Sequence, residues 1–273
     1  MRIKSSFIMS SKNKTPLKVY DASAEISKKG FFGSLRNISV KMALVIGILF
    51  FGCIAIAATL IVAVHTSNLK ASSVEYDHLR GLAGDIEAVA VGYGSIGLSA
   101  LDIEMLSLNP DYVCWIRITG TSIDYPVVRG SDNDTYIKTS FYGESNIAGA
   151  IFMDYRNIGE PMPHIIIYGH NLQQGGMFSD LKKFTDESFL ETNNIITLII
   201  NGNEVQFEIF SARLSDTSDP AYDLNFGNPR YFARFANRIN APLAATQILT
   251  LSTCASEGDD DARVIVQGYR LFD

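Results

Sequence analysis

Cys254 closes a short run of β-type residues, Thr250-Leu251-Ser252-Thr253-Cys254, and Arg263 opens another, Arg263-Val264-Ile265-Val266, nine positions later. Upstream, Ile167-Tyr168-Gly169-His170-Asn171 sets an imidazole at the end of a third apolar run. A thiol is a strong nucleophile only as its thiolate, and a nearby imidazole can take that proton and later hand it to a leaving amine. A guanidinium is always charged and presents its donors in a planar fork, which suits an oxyanion or a substrate carbonyl. Together these groups can carry acyl transfer through a thioester. The chemistry needs no acidic third member, no metal and no organic cofactor.

Each group taken alone has a plainer reading. A lone cysteine usually packs as a small hydrophobe, a lone arginine sits on the surface, and a histidine at a strand end is a polar loop residue. The joint placement separates this set from the rest. His65 lies at the edge of an apolar segment, His78 just beyond it, and His164 begins a strand after Pro163. Trp115, with Val113, Ile116 and Ile118, reads as core. The acidic run Glu257–Asp261 lacks the ligand spacing of a calcium loop and reads as a solvated turn.

The elements that would position the set are short strands. Val113–Ile118, Ile123–Val128, Ala148–Met153, His164–Tyr168, Ile195–Ile200, Glu204–Ser211, Gln247–Thr253 and Arg263–Tyr269 follow one another between turn signals, with Asn201-Gly202 as a hairpin turn. Eight such strands imply a mostly β fold, a closed eight-stranded β-barrel with peripheral helices. Helices are expected at Met177–Phe184 and at Pro229–Ile239, the latter with Asn228 as N-cap. The second lies in the long connection Ala212–Thr246, whose position before the cysteine strand suits it to shape a substrate groove.

Ahead of the strands, Met42–Val64 is 23 residues without a charge. At ~1.5 Å rise per residue it reaches about 34 Å, enough for a ~30 Å hydrocarbon core. It is longer than a signal-peptide core and has no polar face, so it reads as an uncleaved transmembrane signal anchor. Residues 1–41 hold nine Lys/Arg against Asp21 and Glu25, while the remainder holds 14 basic and 27 acidic residues. The positive-inside bias places the N-terminus in the cytoplasm and the larger part outside the cell. The acidic outer part excludes nucleic acid as a natural partner. The expected organisation is a basic cytoplasmic tail (1–41), a span (42–64), a juxtamembrane helical linker (65–104), in which glycines such as Gly81 and Gly84 weaken any long helix, and an extracellular catalytic domain (105–273). With Cys53 in the span, only Cys114 and Cys254 remain, so disulfides do not hold the outer part together.

From Asn109 onward the chain resembles the sortases, and class B in particular. The resemblance is carried by Asn109-Pro110-Asp111 leading into Trp115-Ile116-Arg117-Ile118, by Ile123-Asp124-Tyr125-Pro126-Val127-Val128, and by Gly149-Ala150-Ile151-Phe152-Met153-Asp154-Tyr155-Arg156-Asn157. It continues through Ile167–Asn171, Met177-Phe178-Ser179-Asp180-Leu181 and Thr250–Cys254. The resemblance implies a sortase-type barrel with a Cys254–His170–Arg263 set. It implies that a C-terminal sorting signal of a surface protein is cut after its threonine and passed to an amine of the cell-wall cross-bridge or of a pilin lysine. It also implies that Ser252, Asn171 and Tyr222 help to hold the sorting peptide. The Asp-Pro-aromatic lid and the second span usual in class C are not read in this sequence. Without an amine acceptor the same chemistry would be a cysteine hydrolase. With an inert Cys254, the barrel would be a membrane-tethered peptide-binding module.

Overall fold

A computed structural model of the chain describes residues 39–90, 98–159, 162–255 and 261–272, the side chains of 87–90 excepted. The tail 1–37 and most of the acidic run, Glu257, Asp259 and Asp260, lie outside the described residues. Residues up to Leu60 and residues from Ile61 onward form two compact units.

The first helix, α1, spans Val40–Ala90. Its segment Val40–Ile86 is long and apolar enough to cross a membrane. Leu44, Phe50, Phe51 and Leu60 are exposed in the first unit, as a lipid-facing surface would be. In the second unit Ser72, Tyr76, Leu79 and Ala83 are buried, a four-three-four spacing that makes one stripe on a helix. Tyr76 donates to the Gly149 carbonyl at 2.7 Å and meets the Tyr125 ring edge-on. The glycines at 81 and 84 do not break this helix. Glycine costs about 1 kcal/mol against alanine, whereas each large buried apolar side chain of the stripe contributes about 1.5–3 kcal/mol. A second helix, α2 (Ala100–Leu108), straddles the expected linker boundary. Its start is a capping box in which Ser99 Oγ accepts from the Asp102 amide and Asp102 accepts from the Ser99 amide.

The strands are β1 (Tyr112–Ile118), β2 (Asp124–Val128), β3 (Ile151–Met153), β4 (His164–Tyr168), β5 (Ile195–Ile200), β6 (Asn203–Asp216), β7 (Ile248–Cys254) and β8 (Ala262–Arg270). They close a barrel in the order β1-β2-β3-β4-β7-β8-β6-β5. β2/β3 and β4/β7 are parallel pairs and the others antiparallel. Asn201 and Gly202, both at positive φ, make the β5–β6 hairpin. β6 runs five residues beyond the expected Ser211, past a bulge between Ile209 and Ser211, and pairs with β8 as far as Asp216↔Ala262. The first part of the long connection is therefore strand. Leu214 in this stretch is exposed, so burial does not order Ala212–Asp216, and its place in the sheet comes from satisfying the β8 backbone. The expected helix at Met177–Phe184 is instead a 3₁₀ segment, Ser179–Thr185, followed by α3 (Glu187–Thr192), because positive φ at Gly175, Gly176 and Met177 is used to turn the chain. α4 (Pro229–Arg238) forms where expected, with Asn228 accepting from the Arg230 amide.

Alternation along β7 divides two cores. Leu249 and Leu251 fill the barrel with Trp115, Ile165, Ile167, Val264 and Val266. Ile248 points the other way, against Phe235 and Ile239 of the β6–β7 connection. Gly169, just past β4, passes so close to the core that a Cβ would lie 2.4 Å from Ile151 Cδ1 and 2.8 Å from Phe178 Cγ. His164 is buried on the outer face. Its Nδ1–H donates to the Asp223 carbonyl and its Nε2 accepts from the Thr250 hydroxyl, both at 2.8 Å. Burial lowers its pKa to about 4.

Two stability predictions follow from this packing. Gly169→Ala should destabilise the fold by about 1–3 kcal/mol, read as a lower thermal midpoint, and an unchanged midpoint would contradict the close approach. Because the folded pKa of His164 lies below the unfolded value of about 6.5, the unfolded chain takes up its proton first as pH falls. The contribution of neutral His164 is thus complete above pH ~6.5 and declines toward pH ~4. Melting curves between pH 7.5 and 5 should show this loss, and His164→Gln should flatten it.

Candidate active site

The register of three strands builds the site. In the parallel β4/β7 pair Tyr168 lies opposite Ser252, and in the antiparallel β7/β8 pair Cys254 lies opposite Arg263. Directly opposed residues share a face of a sheet. The outer face therefore carries rows: His164–Ile248–Tyr269, then Ile166–Thr250–Gln267, then Tyr168–Ser252–Ile265. The top row at one end of the barrel thus carries the thiol and the guanidinium, and His170 follows two residues after the end of β4, past the Gly169 amide that extends the β4/β7 ladder.

Local bonds hold this row. The Gly169 amide donates to the Ser252 carbonyl at 3.2 Å, continuing the β4/β7 ladder. The Asn171 side-chain amide donates to the Cys254 carbonyl at 2.8 Å, which ties the histidine loop to the cysteine backbone. The His170 carbonyl accepts from the Phe178 amide at 2.9 Å. His170 Nε2–H donates to the Ile137 carbonyl at 2.7 Å. This bond selects the tautomer in which Nδ1 carries the lone pair and can accept a proton. The Ala255 amide donates to the Ala262 carbonyl at 2.9 Å, extending the β7/β8 pairing beyond the cysteine. Cys254 is a half-buried free thiol. Arg263 Nη1 donates to the Ala262 carbonyl at 3.1 Å, and no carboxylate pairs with Arg263 among the described residues.

Below the top row, the Ser252 and Tyr222 hydroxyls are 2.8 Å apart. The Tyr222 ring stacks on Tyr168 at 6.4 Å and 10°. Arg156, paired with the fully buried Asp154, donates to the Tyr222 carbonyl at 3.4 Å. Burial raises the Tyr222 phenol above the usual tyrosine range. The Ser252 hydroxyl and the charge of Arg263 offset part of that shift, while Cys254 adds to it. Tyr222 therefore stands within electrostatic reach of two members of the top row. The sequence marked Tyr222 only weakly, since one aromatic in a long connection has no partner until β4 and β7 lie beside it. Asp154, Arg156 and Tyr168, which support it, were seen only as parts of motifs.

Cys114 is placed apart from this chemistry. It is buried in the barrel core, where burial and the nearby Asp102 carboxylate push its thiol up, so it stays protonated. A cleft of about 870 Å³ lies between α1 and the loop after Asn171, lined by Lys70, Tyr76, Tyr125, Gly176 and Asp180, and none of the top row lines it. No group of three or more His, Cys, Asp or Glu suited to a metal occurs among the described residues.

Comparison with known proteins identifies the family of the barrel. The sortase domain family matches residues 116–271. Sortase B of Listeria monocytogenes is 33% identical over 176 residues, covering 60% of this chain and 72% of that protein. The structure of the Staphylococcus aureus sortase B–substrate complex superposes with a TM-score of 0.65 at 27% identity, over 74% of this chain and 97% of that one. A sortase B complexed with triglycine superposes with a TM-score of 0.62 at 26% identity, over 71% and 96% of the two chains. The barrel, its strand order and its matched sequence together make this chain a member of the sortase family of transpeptidases, within class B.

Proposed function

We propose that this sortase works as a membrane-anchored cysteine transpeptidase with Cys254 as nucleophile, His170 as general acid and base, and Arg263 as the stabiliser of the oxyanion or the substrate carbonyl. The observation that carries the reading is the top row: Cys254 opposite Arg263, with His170 held through Nε2 so that Nδ1 is the free base. Nδ1 takes the Cys254 proton, and the thiolate attacks the carbonyl of the threonine in a C-terminal sorting signal. The C–N bond breaks as the imidazolium returns the proton to the leaving amine, which leaves a thioester on Cys254. An incoming amine gives up its proton to His170, attacks the thioester, and releases the thiol.

Tyr222 covers the buried Ser252 hydroxyl on the outer face below the thiol, where an extended peptide would lie, and Asn171 holds the loop of the base against the nucleophile's carbonyl. A similar sortase B, from Staphylococcus aureus, has been solved in complex with its substrate, which supports a substrate-binding role for the family's barrel. The relative complexed with triglycine supports a cell-wall peptide amine as acceptor, with a pilin lysine as the alternative amine. Residues 42–64 would anchor the enzyme as a single span, the basic tail 1–41 inside and the catalytic domain 105–273 outside the cell, with 65–104 leading from one to the other.

Full-length protein in detergent micelles, incubated with a library of sorting-signal peptides with and without triglycine, tests the reading by mass spectrometry of products. The expected products are a thioester adduct on Cys254 and an amide to triglycine. Cleavage with water as the only acceptor would identify a hydrolase instead. A thiol that does not react with a methanethiosulfonate probe would identify a peptide-binding barrel. Cys254→Ala should abolish turnover and labelling of this site. His170→Ala should lower kcat/KM by roughly a thousandfold or more, because the same group sets the thiolate and protonates the leaving amine. Arg263→Lys should lower kcat by about 10²–10³, since an ammonium cannot reproduce the fork. Near-normal activity in Arg263→Lys would remove the guanidinium from the oxyanion role.

A further inference from the structure

A closed circuit of polar groups runs beneath Tyr222. The Asp223 carbonyl accepts from His164 Nδ1–H at 2.8 Å, and His164 Nε2 accepts from the Thr250 hydroxyl at 2.8 Å. Thr250 Oγ1 in turn accepts from Gln267 Nε2 at 3.0 Å. Gln267 Oε1 accepts from Arg213 Nη1 at 2.7 Å, and Arg213 grips Asp219 through Nη2 at 2.7 Å and Nε at 3.2 Å. Asp219 also accepts from the Ala221 amide at 2.8 Å and from the Ser215 hydroxyl at 2.5 Å. The circuit crosses the adjacent strands β4, β7, β8 and β6 and returns to its own starting segment, Asp219-Pro220-Ala221-Tyr222-Asp223. His164, Thr250 and Gln267 are each at most 1% exposed.

Such a circuit is an expensive way to fill space. Burying polar groups is costly unless each is satisfied, and apolar residues of similar volume would serve packing alone. When every member is satisfied, the gain is a single geometry. Here the donors run in one sense, from Gln267 through Thr250 to His164 and the Asp223 carbonyl, so the segment is held in one place at one end. The Arg213–Asp219 pair holds it at the other. The segment between these two fixings carries Tyr222, whose hydroxyl meets Ser252 two residues before Cys254. We propose that the His164–Thr250–Gln267–Arg213–Asp219 circuit is a positioning device that fixes Tyr222 over the groove and thereby sets how tightly the sorting peptide is held. His164, Thr250 and Gln267 are positioning residues, since they touch Tyr222 only through the segment they anchor. The affinity half of this proposal rests on the sorting-peptide reading of the groove, whereas the anchoring half does not.

Thr250→Val removes the bridging hydroxyl with little change of shape, Thr250→Ser restores it, and Gln267→Met breaks the next link. In full-length protein in detergent micelles, amide hydrogen exchange over residues 219–224 should speed up about tenfold in Thr250→Val and return in Thr250→Ser, as expected for the loss of one buried hydrogen bond. KM for a sorting peptide should rise about tenfold with kcat changed less than about twofold, and labelling of Cys254 by a methanethiosulfonate probe should keep its rate. Thr250 and Gln267 are links in series, so the double variant should cost no more than the larger single one. If Thr250→Val does not fold, Gln267→Met alone carries both measurements. Unchanged exchange in a folded variant overturns the clamp. Faster exchange with unchanged KM overturns its role in holding the peptide. If the wild type turns over no sorting peptide, the function proposed above fails, while the exchange measurement still decides the clamp.

Discussion

β4 and β7 run parallel, β7 and β8 run antiparallel, and their registers bring Tyr168 beside Ser252 and Cys254 beside Arg263. Everything at the site depends on that alignment. The side-chain period of a strand is two, so a slip of one residue in either pair would turn Cys254 into the barrel and bring Thr253 out. The apolar residues forbid such a slip. Leu249, Leu251, Val264, Val266, Ile165 and Ile167 all face the interior, and exposing the set would cost about 1.5–3 kcal/mol for each large side chain. The interior thus sets the register, and the register sets which polar residues meet outside.

The outer face is then graded along the strands. Its lower end is closed by the apolar cluster of Phe235, Ile239 and Ile248, its middle holds satisfied polar groups, and its upper end holds a half-buried thiol. The histidine pair illustrates how environment divides labour between identical side chains. His164 has both nitrogens bonded inside the fold and burial keeps it neutral, so it serves as a fixed strut. His170 has Nε2 bonded to Ile137 and sits half-buried beside the loop, which suits Nδ1 to proton transfer. The two cysteines of the second unit divide in the same way. Cys114 is sealed among core residues with its thiol pushed up, while Cys254 stands at the end of a strand.

Much of this was legible before folding. Cys254, His170 and Arg263 were visible because each sits at the end of a short apolar run, and the strand ends of a barrel gather at its rim. The eight strands were visible through alternation and turn residues. The long helix was not, because Gly81 and Gly84 argue against it locally and only the buried stripe Ser72–Ala83 outweighs them. Nor was the far half of β6, whose residues 212–216 leave Leu214 exposed and are ordered by pairing with β8. Tyr222 was a weak candidate, and the circuit beneath it was not seen at all.

The amino-acid order by itself determined the apolar span with its basic flank, which groups are proposed to react, and the alternation that tells inside from outside. Those are properties of neighbours along the chain, and neighbours are what a sequence records. Only the tertiary structure decided that Asp223, His164, Thr250, Gln267, Arg213 and Asp219 form one ring, and that Asn171 bonds to the carbonyl of Cys254. A buried donor has no partner until strands far apart in the chain lie side by side, so its bond is a property of the barrel's strand order rather than of any local segment.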